Sequence, residues 1–342
     1  MHIRNRDRWS YQYPEKYLRL RGFAPMIVTL LGVRGSIATP LRSQEYQGKV
    51  RQILEKAIRE NINESRIDSF ISELPPDLRY VIGGETTCCT VQIPGVPLPV
   101  IIDCGTALRH LGDELMAGPC GKGQGELHIL VTHTHWDHIQ GLPFFKPAYI
   151  PGNKLHFYSP LDDLQDRLVY QTTDRFFPMP FMATASEKHF HKLAGPIDLG
   201  GVQVDHHPLK HPGGCFAYKF SKDGHSFIFA TDAEFTGTDL EHPEECKPFF
   251  YQADLVVMDA QYTLDESFAK FDWGHTSYTM AVNCAAQWKV KNLVLTHHEP
   301  AYSDSKVFEN YESAIEHRNI MRLEFPRVHL AREGLSFRIG PE

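Results

Sequence analysis

Six short stretches of the chain are apolar at nearly every position: 26–33 (MIVTLLGV), 98–103 (LPVIID), 128–131 (HILV), 226–230 (SFIFA), 253–259 (ADLVVMD) and 292–296 (NLVLT). Apolar runs this short, bounded by turn residues, predict strands buried in a layered fold. Residues 45–74 follow another rhythm, with apolar positions at helical spacing among many charges. That spacing predicts two helices, broken near 61–63 and stopped by Pro75-Pro76. A further strand is expected at 215–220, and a helix at 278–288 behind a Thr276 or Ser277 cap. Residues 150–193, rich in Phe, Pro and Met, read as irregular and mostly as core, with His189 and His191 on the surface.

Five of the six buried runs, all but 26–33, lead into a residue that can bind a metal. The run 98–103 ends in Asp103, 226–230 runs into Asp232, 253–259 ends in Asp259, and 292–296 runs into the pair His297-His298. The densest case is 128–131, which leads into His133-Thr-His135-Trp-Asp137-His138, four strong ligands in six positions. A strand that stops at such a cluster delivers side chains to one rim of a sheet, where layered α/β folds bind ligands. His133 and His135, two apart, can face one ion, while Asp137 and His138, at a helix start, reach a second. Neutral imidazoles with carboxylates suit zinc and admit manganese or iron.

The totals narrow the setting. A chain of 342 residues with ordinary apolar and charged fractions has room for a large core. The net charge of −7 argues against broad nonspecific nucleic-acid binding, although bound dications would still accommodate a phosphate ester. Seven cysteines (88, 89, 104, 120, 215, 246 and 284) without a CxxC pair read as free thiols of a reducing cytosol. No stretch has signal-peptide character or approaches a membrane span, so a cytoplasmic location is expected. Residues 1–25, carrying Arg4, Arg6, Arg8, Arg19 and Arg21, read as an N-terminal arm before a domain at 26–342.

The ligand string and what flanks it resemble the metallo-β-lactamase superfamily, in particular its phosphodiesterase branch of ribonuclease Z-like and cyclic-nucleotide phosphodiesterase-like enzymes. Beyond HTHWDHIQGLPFF, the resemblance covers GVRGSIATP at 32–40, Gly83-Gly84-x-Thr-x-Cys, HPGG-x-x-x-Y-x-F from His211, Asp259-Ala-Gln-Tyr, Asp272-Trp-Gly-His-Thr-Ser and L-x-L-T-H. Glu85 departs from the Asn common in the branch, and the helical stretch at about 43–78 resembles an insertion. The resemblance implies a four-layer αββα sandwich. It implies that His133, His135 and His211 hold one divalent ion, that Asp137, His138 and His297 hold another, and that Asp232 bridges the two. His298 stays open as the alternative last ligand. Asp103 would accept a ligand imidazole's second N–H, or cap the helix that follows. Arg34 would help hold an anion or form a structural salt bridge. The ions, zinc or else manganese, would activate a bridging hydroxide, with Asp137 orienting it and His275 stabilising phosphoryl oxygens or protonating the leaving group.

His135, where di-iron relatives carry Glu, disfavours oxygen chemistry, and His275 favours phosphodiesters over thioesters, lactones or β-lactams. Only 21 positions separate His211 from Asp232, too few for the tRNA-holding arm usual in ribonuclease Z. A compact diester such as a cyclic nucleotide is therefore the expected substrate, with RNA or DNA ends less favoured. The alternatives are a carboxylic ester or lactone hydrolase and a noncatalytic nucleotide sensor. A homodimer is implied at the level of the family.

Overall fold

The computed structural model describes residues 24–341. The arm expected at 1–25, with its five arginines, lies almost wholly outside the described residues. Among the described residues, fourteen strands form two seven-stranded sheets. The first contains β1 (Met26–Gly32), β2 (Cys88–Gln92), β3 (Val100–Ile102), β4 (Glu126–Leu130), β5 (Lys154–Ser159), β6 (Glu187–Lys192) and β14 (Ser336–Ile339), in the order β14-β1-β2-β3-β4-β5-β6. The second contains β7 (Ile197–Leu199), β8 (Val202–Leu209), β9 (Cys215–Lys222), β10 (His225–Ala230), β11 (Leu255–Asp259), β12 (Asn292–Thr296) and β13 (Arg327–Leu330), in the order β13-β12-β11-β10-β9-β8-β7.

The unbroken apolar runs have a simple cause: both faces of their strands are covered. Along β10, Phe227 and Phe229 point into the core between the sheets, whereas Ile228 and Ala230 face the helices outside. Along β4, Leu130 joins the inter-sheet core while Leu127 and Ile129 pack under the helix Leu108–Leu115. The helices Tyr278–Gln287 and Asp304–Ile320 cover the second sheet. Two mixed sheets between helical layers make the αββα sandwich.

Strands β3 to β6 run parallel to one another, as do β10 to β13. Their carboxyl ends open on one edge, and the ligand candidates lie there. The stretch 43–78 forms the helices Ser43–Arg59 and Ile67–Glu73, joined by a helical turn at Glu64–Arg66. Residues 150–193 are more regular than expected, holding β5, the helix Leu164–Gln171 and β6. Edge strand β6, carrying half-buried His189 and exposed His191, neither alternates nor runs apolar, so its composition gives no strand signal. Among the described residues, no helix is long and apolar enough to cross a membrane.

Candidate metal centre

Each candidate side chain sits where a strand stops. Asp103 follows β3, His133 follows β4 by three residues, Asp232 follows β10 by two, Asp259 closes β11, and His297 follows β12. At three of these exits the backbone turns into the left-handed region: φ is 61° at Asp103, 60° at Asp232 and 62° at His297. Asp and His tolerate that region better than most residues, and the turn swings their side chains into the cleft.

Among the described residues three overlapping groups of ligand atoms result, each with all atoms within 4.8 Å of one another: Asp232 with Asp259, His275 and His297, and the two sets the resemblance implies, His133 with His135 and His211, and Asp137 with His138, Asp232 and His297. The Asp232 carboxylate lies between these two sets. Its Oδ1 is 3.8 Å from both His133 Nε2 and His211 Nε2 and 3.3 Å from His297 Nε2, while Oδ2 is 3.0 Å from His138 Nε2. Asp137 Oδ2 is 3.1 Å from His297 Nε2 and accepts from the Ser36 N–H at 2.8 Å. All seven residues named as ligands from the sequence therefore meet at one place. His298 does not; its Nε2–H donates to the Ala331 carbonyl at 3.0 Å, away from the cluster.

The imidazoles are anchored from behind. His138 donates Nδ1–H to Asp103 Oδ2 at 2.8 Å, and Asp103 also accepts from the Thr132 N–H and hydroxyl, so its carboxylate serves the cluster and not a helix cap. His133 Nδ1 meets Thr132 Oγ1 at 3.1 Å, His211 Nδ1 donates to the Gly274 carbonyl at 2.8 Å, and His297 Nδ1 donates to Gln261 Oε1 at 3.1 Å. Fixing Nδ1–H in this way presents a basic Nε2 to the cleft. Two glycines make the approach possible. A Cβ on Gly274 (φ +87°) would fall 2.2 Å from His211 Nδ1, and one on Gly35 would fall 2.5 Å from His297 Nδ1.

The chemistry of this donor set fits divalent cations. His133 Nε2, His138 Nε2 and Asp232 Oδ2 are buried without a hydrogen-bond partner, which is costly unless an ion satisfies them. Asp103, Asp137, Asp232 and Asp259 are buried together, and no Lys or Arg of the described residues forms an ion pair with them. Burial and the neighbouring His138 hold the His133 ring well below its usual pKa, and burial likewise lowers His135 and His211, leaving them neutral as ligands must be. Burial opposes ionisation of Asp232, but His138, His297 and His133 outweigh it and keep the carboxyl well below its usual range. For His297, burial opposes the charged form while Asp232, Asp137 and Asp259 overcome it and raise the ring to about 9. This cluster calls for positive charge.

His275 adjoins the cluster. Its Nδ1–H donates to Asp259 Oδ2 at 2.7 Å, and its ring stacks on His297 with centroids 5.0 Å apart. Asp259 also accepts from the N–H groups of Asp232, Gln261 and Thr276. The sequence marks Asp259 by its place at the end of an apolar strand and by the string Asp259-Ala-Gln-Tyr, but gives no sign that it ties His275 to the cluster. Above these groups opens a cleft of about 410 Å³ lined by Ser36, Thr134, His135, Trp136, Asp137, Asp232, His275 and His297. Arg34 lies elsewhere and is structural: it is buried, pairs with Asp304 at 3.0 Å, and donates to the Gly83 and Tyr302 carbonyls.

Residues 99–298 match the family model described as the beta-lactamase superfamily domain. A ribonuclease Z of Prochlorococcus marinus (strain NATL2A) is 23% identical over 294 residues, covering 70% of this chain and 89% of that enzyme. The metallo-beta-lactamase fold protein YhfI of Bacillus subtilis superposes over 92% of this chain and 99% of its own, with a TM-score of 0.61 at 18% identity. A diphosphatase of the PhnP family covers 91% of this chain and 97% of its own, with a TM-score of 0.56 at 19% identity. Fold, strand-end ligands and family match agree: the chain belongs to the metallo-β-lactamase superfamily and is a metal-dependent hydrolase.

Proposed function

We propose that this hydrolase cleaves phosphodiester bonds of a compact substrate, of which a cyclic nucleotide is the best example. The observation that carries the reading is His275, held by Asp259 at the wall of a cleft lined by four of the seven cluster residues, His135, Asp137, Asp232 and His297. His133, His135 and His211 would hold one divalent ion, and Asp137, His138 and His297 a second, with Asp232 shared. Zinc fits this set of imidazole and carboxylate donors. When bound, such ions lower the pKa of a water and neutralise charge on the non-bridging phosphoryl oxygens.

The chain's own groups supply the remainder. Asp137 Oδ2, fixed by the Ser36 N–H, is placed to accept a hydrogen bond from the attacking water and so aim its lone pair. With Nδ1–H committed to Asp259, His275 keeps Nε2 for the substrate, where in its protonated form it donates to a phosphoryl oxygen or hands a proton to the leaving alkoxide. The stacked His297 ring limits how far His275 can swing. Compactness of the substrate is supported by the interval from His211 to Asp232, which is taken up by the hairpin β9–β10, and by the net charge of −7.

The test is hydrolysis of bis-p-nitrophenyl phosphate by zinc-loaded protein beside His275→Ala and Asp232→Ala. Turnover by the wild type is expected, with loss in both variants and zinc retained by His275→Ala. Inactivity on the diester together with cleavage of p-nitrophenyl acetate or a lactone would sink the reading.

A further inference from the structure

The ligand string contains one residue that neither binds the cluster nor packs in the fold. Trp136 stands between His135 and Asp137, begins the helical turn Trp136–Ile139, and lines the cleft with 77% of its surface exposed. Its indole makes no ring contact or side-chain hydrogen bond with any described residue, whereas Trp288 is fully buried against Phe250 and Phe235. The backbone on both sides of Trp136 is held by the cluster, so the indole is presented from a rigid base.

The rim continues this character. Ile37, beside the cleft residue Ser36, is 59% exposed, and Trp273, two residues before His275, is 61% exposed. A cation joins them: Arg167 Nη1 donates to Thr134 Oγ1, another cleft residue, at 3.3 Å. A polar, metal-ready floor under a rim of exposed apolar side chains, of which Trp273 has Lys270 Nζ over its ring at 5.7 Å and Trp136 is uncovered, suits a ligand with a charged centre and a flat apolar arm. Isolated exposed apolar residues are ordinary, but a Trp fixed at the mouth of a reactive cleft offers a face for stacking.

We infer that Trp136 is a platform on which an aromatic base of the substrate stacks, which makes the diester a nucleotide. The inference rests on the phosphodiesterase reading and narrows it. Trp136 becomes a specificity residue and takes no part in bond cleavage.

The experiment compares Trp136→Ala, Trp136→Phe and wild-type zinc-loaded protein on two substrates, cyclic AMP and the same ribose cyclic phosphate without its base. Base stacking is lost on truncation to alanine at a level of about ten- to a hundredfold in affinity. The expected result is that rise in KM for cyclic AMP in Trp136→Ala, near-unchanged kcat, partial rescue by phenylalanine, and no change for the abasic diester. In parallel, AMP is titrated against tryptophan fluorescence, where saturable quenching is expected in wild type and is lost in both variants. A KM that moves equally for both diesters, or no quenching and no change in either, overturns the inference. If neither diester is cleaved while the Trp136-dependent quenching persists, the platform stands and the phosphodiesterase reading falls.

Discussion

Asp259→Asn is the sharpest test of how the centre is built. The Asp259 carboxylate is fully buried and accepts four hydrogen bonds. Oδ2 takes His275 Nδ1–H at 2.7 Å and the Asp232 N–H at 3.1 Å, while Oδ1 takes the Thr276 N–H at 3.0 Å and the Gln261 N–H at 3.2 Å. An asparagine amide replaces one oxygen by an NH2 group, so whichever way it turns, two donors face another donor. A buried donor left unsatisfied costs about 1–3 kcal/mol, giving roughly 2–6 kcal/mol for the pair. For a chain of this size that is a fall in Tm on the order of 3–8 °C. Because Asp259 orients His275 and the Asp232 backbone, kcat on a diester should drop by about 10- to 100-fold. Zinc content should persist, since all seven proposed ligands remain. Thermal unfolding by circular dichroism, zinc by elemental analysis and steady-state kinetics supply the three readings. A variant with Tm within about 1 °C of wild type and kcat within about twofold would refute the claim that this carboxylate organises the site.

Two further outcomes follow from the geometry. His298 is buried, and burial together with nearby Arg34 pushes its pKa down to about 3, so it acts as a neutral structural donor to Ala331. His298→Ala should therefore cost about 2–4 kcal/mol of stability yet keep the metal, whereas His297→Ala should lose metal; elemental analysis showing the reverse would reassign the ligand. Chelation should lower Tm reversibly, because an ion at a thousand times its Kd adds about 4 kcal/mol and the buried carboxylates lose their countercharge on its removal. Metal-free protein that melts at the same temperature would show that the cluster contributes nothing through bound ions.

The part of the centre legible in the sequence is the part fixed at short range. His133, His135, Asp137 and His138 fall within six positions, so local geometry alone brings them together, and the strand-end positions of Asp103 and Asp232 follow from where apolar runs stop. The choice between His297 and His298 depends instead on a single left-handed residue: φ of 62° at His297 turns one imidazole to the cluster and leaves the next for Ala331. Spacing cannot report that torsion. Nor can it show that Gly274, 63 positions after His211, supplies the carbonyl that orients it, or that Gly35 makes room for His297. The fold was clearest where both faces of a strand are buried, and faintest at edge strand β6, whose six residues are all partly or fully exposed.

The left-handed backbone at Asp103, Asp232 and His297 also sets the direction in which the protein would drift if activity were not under selection. Each such turn costs an L-residue about 1–2 kcal/mol that glycine does not incur. At Asp103 the His138 Nδ1–H and the Thr132 N–H and hydroxyl would lose their acceptor, which outweighs that gain, so a library screened for heat resistance alone should accumulate glycine at Asp232 and His297 first and lose the centre in the process. The positions that hold the two sheets' ligands in common are thus ones where the local comfort of the chain and its chemistry oppose each other, and their identity in any sequence variant reports which of the two has been maintained.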